Sequence, residues 1–218
     1  MSWIPLFPLD LALLPECELS LHIFEPRYRK MITRCMHEAL PFGIARSQEG
    51  TLAAIGTEAN VKKVLRRYPD GRFDILAEGG GRIQIRQVRE HEDGYVEAEA
   101  EPITESAEES DHALEDHVEE QYRRYASLLG DIPEEPPPRG PRWSFRMADR
   151  MRLGVSACQE LLEMLSENAR VKRIKEHLHE LIPLVVEKRR VKWVVRGNGS
   201  LRGVGRGSGS SGVEDSTL

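Results

Sequence analysis

No apolar run in the sequence approaches the roughly 20 residues that a membrane-spanning helix needs. The start, Met1-Ser2-Trp3-Ile4-Pro5, has neither the basic region nor the long apolar stretch of a signal peptide. Both absences point to a soluble protein of the cytoplasm. Cysteine is scarce: Cys17, Cys35 and Cys158 are an odd number at wide spacing. That pattern argues against a disulfide framework or a zinc site and fits reduced, buried thiols. Aromatic residues make up only 6% of the chain. Their groupings, Trp143 with Phe145 and Trp3 with Phe7, therefore carry information: each is either core packing or a binding anchor.

Catalytic and cofactor motifs are also missing. A phosphate-cradling loop needs glycines followed by Lys and Ser or Thr, and no G-x-x-x-x-G-K-S/T occurs. No H-E-x-x-H, paired C-x-x-C or G-x-S-x-G is present. His177 and His179 are two apart on an expected helix, so they project to nearly opposite faces and do not share an ion. His112 and His117 also miss the i, i+4 spacing. No metal, cofactor or catalytic residue is expected.

What is present is uneven charge and clear periodicity. The net charge of -5 argues against a surface built throughout for nucleic acid. From Glu97 to Glu120 there are 11 acidic residues and no Lys or Arg. From Glu187 to Arg206, by contrast, Lys188, Arg189, Arg190, Lys192, Arg196, Arg202 and Arg206 face a single acid.

The first half reads as β structure with one helix. Leu19, Leu21 and Ile23 alternate as a strand, and Pro26 opens a helix whose apolar face is Tyr28, Met31, Ile32, Cys35, Met36 and Leu40, stopped by Pro41. Residues 53–104 read as consecutive hairpins. Tyr68-Pro69-Asp70-Gly71 makes one turn, Gly79 to Gly81 the next reversal, and Asp93-Gly94 a third. In the last strand Val96, Ala98 and Ala100 face inward and Glu97, Glu99 and Glu101 outward. Short antiparallel strands in this number imply a small barrel or sandwich.

From about Asp111 the period becomes helical. Leu114, Val118, Tyr122, Tyr125, Leu128 and Leu129 form a stripe, and a Pro-rich loop from Ile132 to Pro141 follows. Trp143, Met147 and Met151 mark a further helix. Ser156 and Gln159 read as a capping box, and Val171, Ile174, Leu178, Leu181 and Ile182 line a last long helix kinked at Pro183. The expected division is a β-rich part over 1–108, a helical part over 109–196 and a disordered Gly/Ser-rich tail over 197–218.

Ile4-Pro5-Leu6-Phe7-Pro8-Leu9, Leu14-Pro15 and Leu21-His22-Ile23-Phe24-Glu25-Pro26-Arg27-Tyr28 together resemble the opening of the amino-terminal domain of Lon-type proteases, especially its bacterial stand-alone versions. Ala54-Ile55-Gly56-Thr57, Val61, Pro69-Asp70-Gly71-Arg72 and Leu76-Ala77-Glu78-Gly79 through Arg82 are similar to that domain's middle section. The run from Phe145 through Ile182 looks like its helical subdomain. The resemblance implies an α+β fold, with a PUA-like β pseudobarrel at the amino end packed against a carboxyl-terminal helical bundle. In full-length Lon proteases this domain helps select and hold substrates, while the ATPase and Ser-Lys protease parts lie downstream. A non-catalytic module that binds polypeptide segments is therefore expected. Its groove would lie where barrel meets helices, with Trp143 and Phe145 on one wall. The alternative is an RNA-binding protein that uses the basic stretch Lys188 to Arg206 with Trp193 inside it. A third reading is an enzyme of unknown type, which would require a polar cleft with converging titratable groups.

Overall fold

The computed structural model describes residues 2–198, with side chains over 3–190. Seven strands and five helices are formed there: β1 (Ser2–Leu9), β2 (Glu18–Ile23), α1 (Pro26–Glu38), β3 (Phe42–Gln48), β4 (Thr51–Leu52), β5 (Ile55–Arg67), β6 (Phe73–Glu90), β7 (Val96–Pro102), α2 (His112–Leu129), α3 (Trp143–Arg150), α4 (Val155–Glu163) and α5 (Glu167–Asn198). The expected tail from 199 onward lies outside the described residues, and Gly197 and Asn198 belong to α5 rather than to the tail.

Five strands close on themselves. β1 pairs antiparallel with β7, β7 with β6, β6 with β5 and β5 with β3, and a parallel pairing of β3 with β1 completes the ring. Closure leaves no unpaired edge among these five. β2 adds to the first half of β6, and β4 forms a short hairpin with β3. The barrel interior and the face under α1 are filled by Ile23, Phe42, Ile44, Phe73, Ile75 and Ala77, against which Tyr28, Met31, Ile32 and Cys35 pack. The turn at Tyr68–Gly71 forms as expected, with Gly71 at φ +84°. Asp93-Gly94 likewise turns β6 into β7.

Gly79 to Gly81 do not reverse the chain. β6 runs straight through them for 18 residues. Its first part pairs with β2 as far as Glu78, and its second pairs with β7 from Ile83 onward. The glycines serve close approach instead: the Gly79 N–H donates to Cys17 O, and a Cβ at Gly79 would come within 2.4 Å of Leu14 O. The incoming segment Leu13–Cys17 thus lies directly on the strand.

In the second half, Asp111 caps α2 by accepting from the Leu114 N–H, and Val118, Tyr122, Tyr125 and Ala126 turn inward. Ser156 is not a cap. Gly154 occupies that position at α4, and Gln159, instead of closing a box, is buried and donates to Ile55 O of the barrel. Pro183 lies inside α5, which continues past it. A single apolar cluster runs from the barrel residues through Tyr122, Trp143, Phe145, Leu161, Val171, Ile174 and Leu178. The expected boundary at 108/109 falls between β7 and α2, but the core does not divide there.

Two buried arginines tie the halves together. Arg82, on β6, donates to the carbonyls of Leu162 and Met164 at the end of α4, both at 2.7 Å, and pairs with Glu105 at 2.9 Å. Arg170, on α5, donates to the same Met164 carbonyl at 2.6 Å, to Ser144 Oγ, and to the carboxylates of Glu105 and Glu167. The last carbonyls of a helix have no intrahelical donor and carry its negative dipole end, so guanidinium groups are well matched there. Burial pulls the Arg82 guanidinium below its ordinary pKa, opposed by Glu105, yet arginine remains charged.

The three cysteines are free and buried in the core, as expected. Burial pushes the Cys17 thiol up to about 12 and those of Cys35 and Cys158 to about 11. Because the thiolate is the reactive form, a thiol reagent at about pH 8 should label none of the three in the folded protein and all three in denaturant. Arg82→Met strands the α4 carbonyls and removes one partner of Glu105. It should lower the stability measured by urea denaturation by about 3–5 kcal/mol.

Candidate functional site

Trp143 and Phe145 are fully buried, which corrects the expectation that they line a peptide groove. The Trp143 indole donates to Pro137 O at 3.0 Å, which fastens the Pro-rich loop to α3. The Phe145 ring lies beneath both buried guanidiniums, 4.4 Å from that of Arg170 and 5.7 Å from that of Arg82. Both aromatics support the ionic junction from the apolar side.

The junction of barrel and helices does form a cavity, of about 590 Å³. Its walls are Glu16, Glu105, Glu167, Asn168, Arg142 and Arg170, so it is charged where an apolar groove was expected. Arg142 reaches into it from a left-handed backbone (φ 59°), and Arg146 pairs with Glu16 at its rim. Most of these groups are already spent on one another.

An apolar groove exists elsewhere. Between the end of α2 and the middle of α5, Leu128, Leu129, Leu181, Leu184 and Val185 enclose about 580 Å³, rimmed by Asp131, Lys188 and Arg189. It arises because α5 carries six consecutive apolar residues, Leu181-Ile182-Pro183-Leu184-Val185-Val186, more than one helix face can bury. Ile182 turns into the core, and Leu184 is left 65% exposed. That run was the available signal for the groove.

A third surface is cationic. Arg29, Lys30, Arg34 and His37 of α1 face Arg67 and Phe73 of the β5–β6 hairpin across an open cavity of about 630 Å³. Of the basic stretch near the carboxyl end, Lys188, Arg189 and Arg190 are exposed. The side chains of Lys192, Trp193 and Arg196, together with Arg202 and Arg206, lie outside the described residues.

Convergent polar groups suited to catalysis are sparse. His22 Nδ1 and the Tyr68 hydroxyl both bond Asp74, at 2.5 and 2.7 Å, and these bonds hold its carboxyl below the usual carboxylate range. This is an orienting pair without a nucleophile: among the described residues no hydroxyl or thiol is bonded to His22. His177 is buried and His179 exposed, in keeping with their opposite faces. Among the described residues no three His, Cys, Asp or Glu side chains gather in a way that could hold a metal ion. Nor is any described helix long and apolar enough to cross a membrane.

Comparison with known proteins bears on both fold and function. Residues 3–180 match the model of the ATP-dependent protease La (LON) substrate-binding domain. The Lon protease of Azospirillum brasilense is 31% identical over 149 residues, covering 62% of this chain and 18% of that protein. Lon protease 1 of Hydrogenovibrio crunogenus is 24% identical over 199 residues, covering 84% of this chain and 24% of its own. The chain thus spans about a quarter or less of these curated relatives. Among solved structures, the Lon N-terminal domain protein from Xanthomonas campestris superposes with a TM-score of 0.63 at 24% identity, covering 81% of this chain and 98% of that one. The N-terminal domain of the Mycobacterium avium complex Lon protease gives 0.51 at 18% identity, covering 85% and 98%. Both share the strand-rich amino part followed by helices. A match across most of its length, together with the closed barrel and helical half, establishes that this chain belongs to the Lon substrate-binding domain family.

Proposed function

We propose that the chain is a non-catalytic cytoplasmic module that binds polypeptide segments, and that the α2–α5 groove receives them. The observation that carries this reading is the groove itself: five aliphatic side chains around about 580 Å³, left open to solvent in a member of a substrate-binding family. Exposed apolar side chains grouped in a concavity mark binding sites more often than scattered ones do. The ligand class follows from the lining. Leu128, Leu129, Leu181, Leu184 and Val185 offer no hydrogen-bonding side chain at the floor, so they select apolar bulk. Lys188 and Arg189 at the rim favour a segment with acidic residues beside its apolar ones. A poorly folded chain that exposes Leu, Ile or Phe presents such a surface; a well-folded protein does not.

Titration of a labelled, reduced and carboxymethylated model protein should give saturable binding by fluorescence anisotropy. Leu184→Asp should weaken it by about tenfold or more, while Leu165→Asp, at another exposed leucine outside the groove, should leave it unchanged. No binding up to about 50 μM, or equal loss in both variants, would overturn the assignment.

A further inference from the structure

Residues 22–38 and 62–74 hold nine Lys and Arg against four Asp and Glu, a net charge of +5 within a chain of net -5. The fold brings these two segments together. Strand pairing sets His22 opposite Asp74 and Asp74 opposite Arg66, so the three share one face at the end of the barrel. Two irregularities in the β5–β6 register, between Val61 and Lys63 and between Val64 and Arg66, twist the hairpin there. On the other face of the hairpin Arg67 looks across the open cavity at Arg29, Lys30, Arg34 and His37.

Exposed rings lie among these charges. The Phe24 ring is 57% exposed and stacks on His22 at 5.8 Å, and the His22 ring meets Tyr68 edge-on at 5.6 Å. Tyr68 in turn lies under the guanidiniums of Arg66 and Arg72, at 4.7 and 5.5 Å. The carboxylates on the face are already engaged: Glu25 with Arg27, Glu38 with Arg34, Asp70 with Arg72, Asp93 with Lys30, and Asp74 with His22 and Tyr68. Among the described residues Lys63, Arg66 and Arg67 make no ion pair, and the Arg29 guanidinium bonds only the main-chain carbonyl of Asp70. The first turn of α1 holds no acidic residue, and its N-cap residue Glu25 makes no side-chain cap hydrogen bond.

We propose that this face, formed by α1, the end of β2 and the β5–β6 hairpin, binds single-stranded nucleic acid, with Arg29, Lys63, Arg66 and Arg67 on phosphates and the Phe24 ring, backed by His22, offered to bases. The cations without an ion-pair partner suit a polyanion, and the open Phe24 ring offers a face on which a base can stack. Poly-glutamate shares the first feature and has no ring or base for the second. Duplex hides its base faces and so leaves Phe24 unused. Stacking platforms set in a cationic groove are the common solution for single strands. The site is separate from the α2–α5 groove, so the two readings fail independently.

Anisotropy of a labelled oligo-dT of about 15 nucleotides with the full chain tests the proposal. Binding should weaken roughly 50-fold between about 50 and 200 mM salt, as expected for the release of about four phosphate counterions. Phe24→Ala should cost roughly tenfold, and the double variant Arg66→Glu/Arg67→Glu at least as much. Circular dichroism should show all variants folded. Lys188→Glu/Arg189→Glu and Leu184→Asp should leave binding unchanged. The proposal is overturned by an absence of binding up to about 100 μM at low salt. It is also overturned if only the Lys188/Arg189 variant loses binding, or if poly-glutamate competes as well as the oligonucleotide and Phe24→Ala has no effect.

Discussion

The paired guanidiniums of Arg82 and Arg170 fix how this protein is put together. One comes from the barrel and one from the last helix, and both donate to the Met164 carbonyl at the end of α4. Two like charges side by side in a core are tolerated only when surrounded by acceptors. Here Glu105 and Glu167 supply carboxylates, Leu162 and Met164 supply the unsatisfied carbonyls of a helix end, and the Phe145 ring supplies a π face. Hydrogen bonds are directional, so this arrangement sets the angle of the helices on the barrel as apolar packing alone does not. It also explains why Trp143 and Phe145 are interior residues. They form the apolar backing of the ionic cluster.

A consequence is that charged side chains line the barrel–helix junction. Its cavity is walled by groups that already satisfy one another, and the apolar surface available for a ligand is displaced onto the helices, at Leu181, Leu184 and Val185. Two chemically different surfaces result. One, between α2 and α5, is aliphatic with a cationic rim; the other, on α1 and the β5–β6 hairpin, is cationic with exposed rings.

Much of the fold was legible because local rules and the final structure agree. Pro26 begins α1, Gly71 and Gly94 take the positive φ of the expected turns, and the inward alternation of Ala98 and Ala100 holds in β7. The misreadings share one physical origin, which is tertiary override of a local signal. Three successive glycines look like a turn, but Gly79 is there so that Leu14 can approach the strand. Ser156 and Gln159 look like a capping box, but Gln159 serves a barrel carbonyl. Glu97 was expected on the wet face, and pairing with Arg89 lets it be buried. The ionic junction itself was hidden, since Arg82, Glu105 and Arg170 are brought together only by folding. The apolar groove was half legible: the run from Leu181 to Val186 exceeds what one helix face can bury, but the contribution of α2 depends on how the helices pack.

A polypeptide held in the helical groove, and not at the charged junction, would leave its footprint on the end of α2 and the middle of α5. Hydrogen–deuterium exchange with and without a saturating unfolded polypeptide addresses it without any substitution. Slowed exchange is expected only at the end of α2 around Leu128 and Leu129 and in α5 around Leu181 to Arg189, with the segments bearing Glu105, Arg142 and Arg170 unchanged. Protection centred on those junction segments, with the end of α2 and the middle of α5 unaffected, would contradict it.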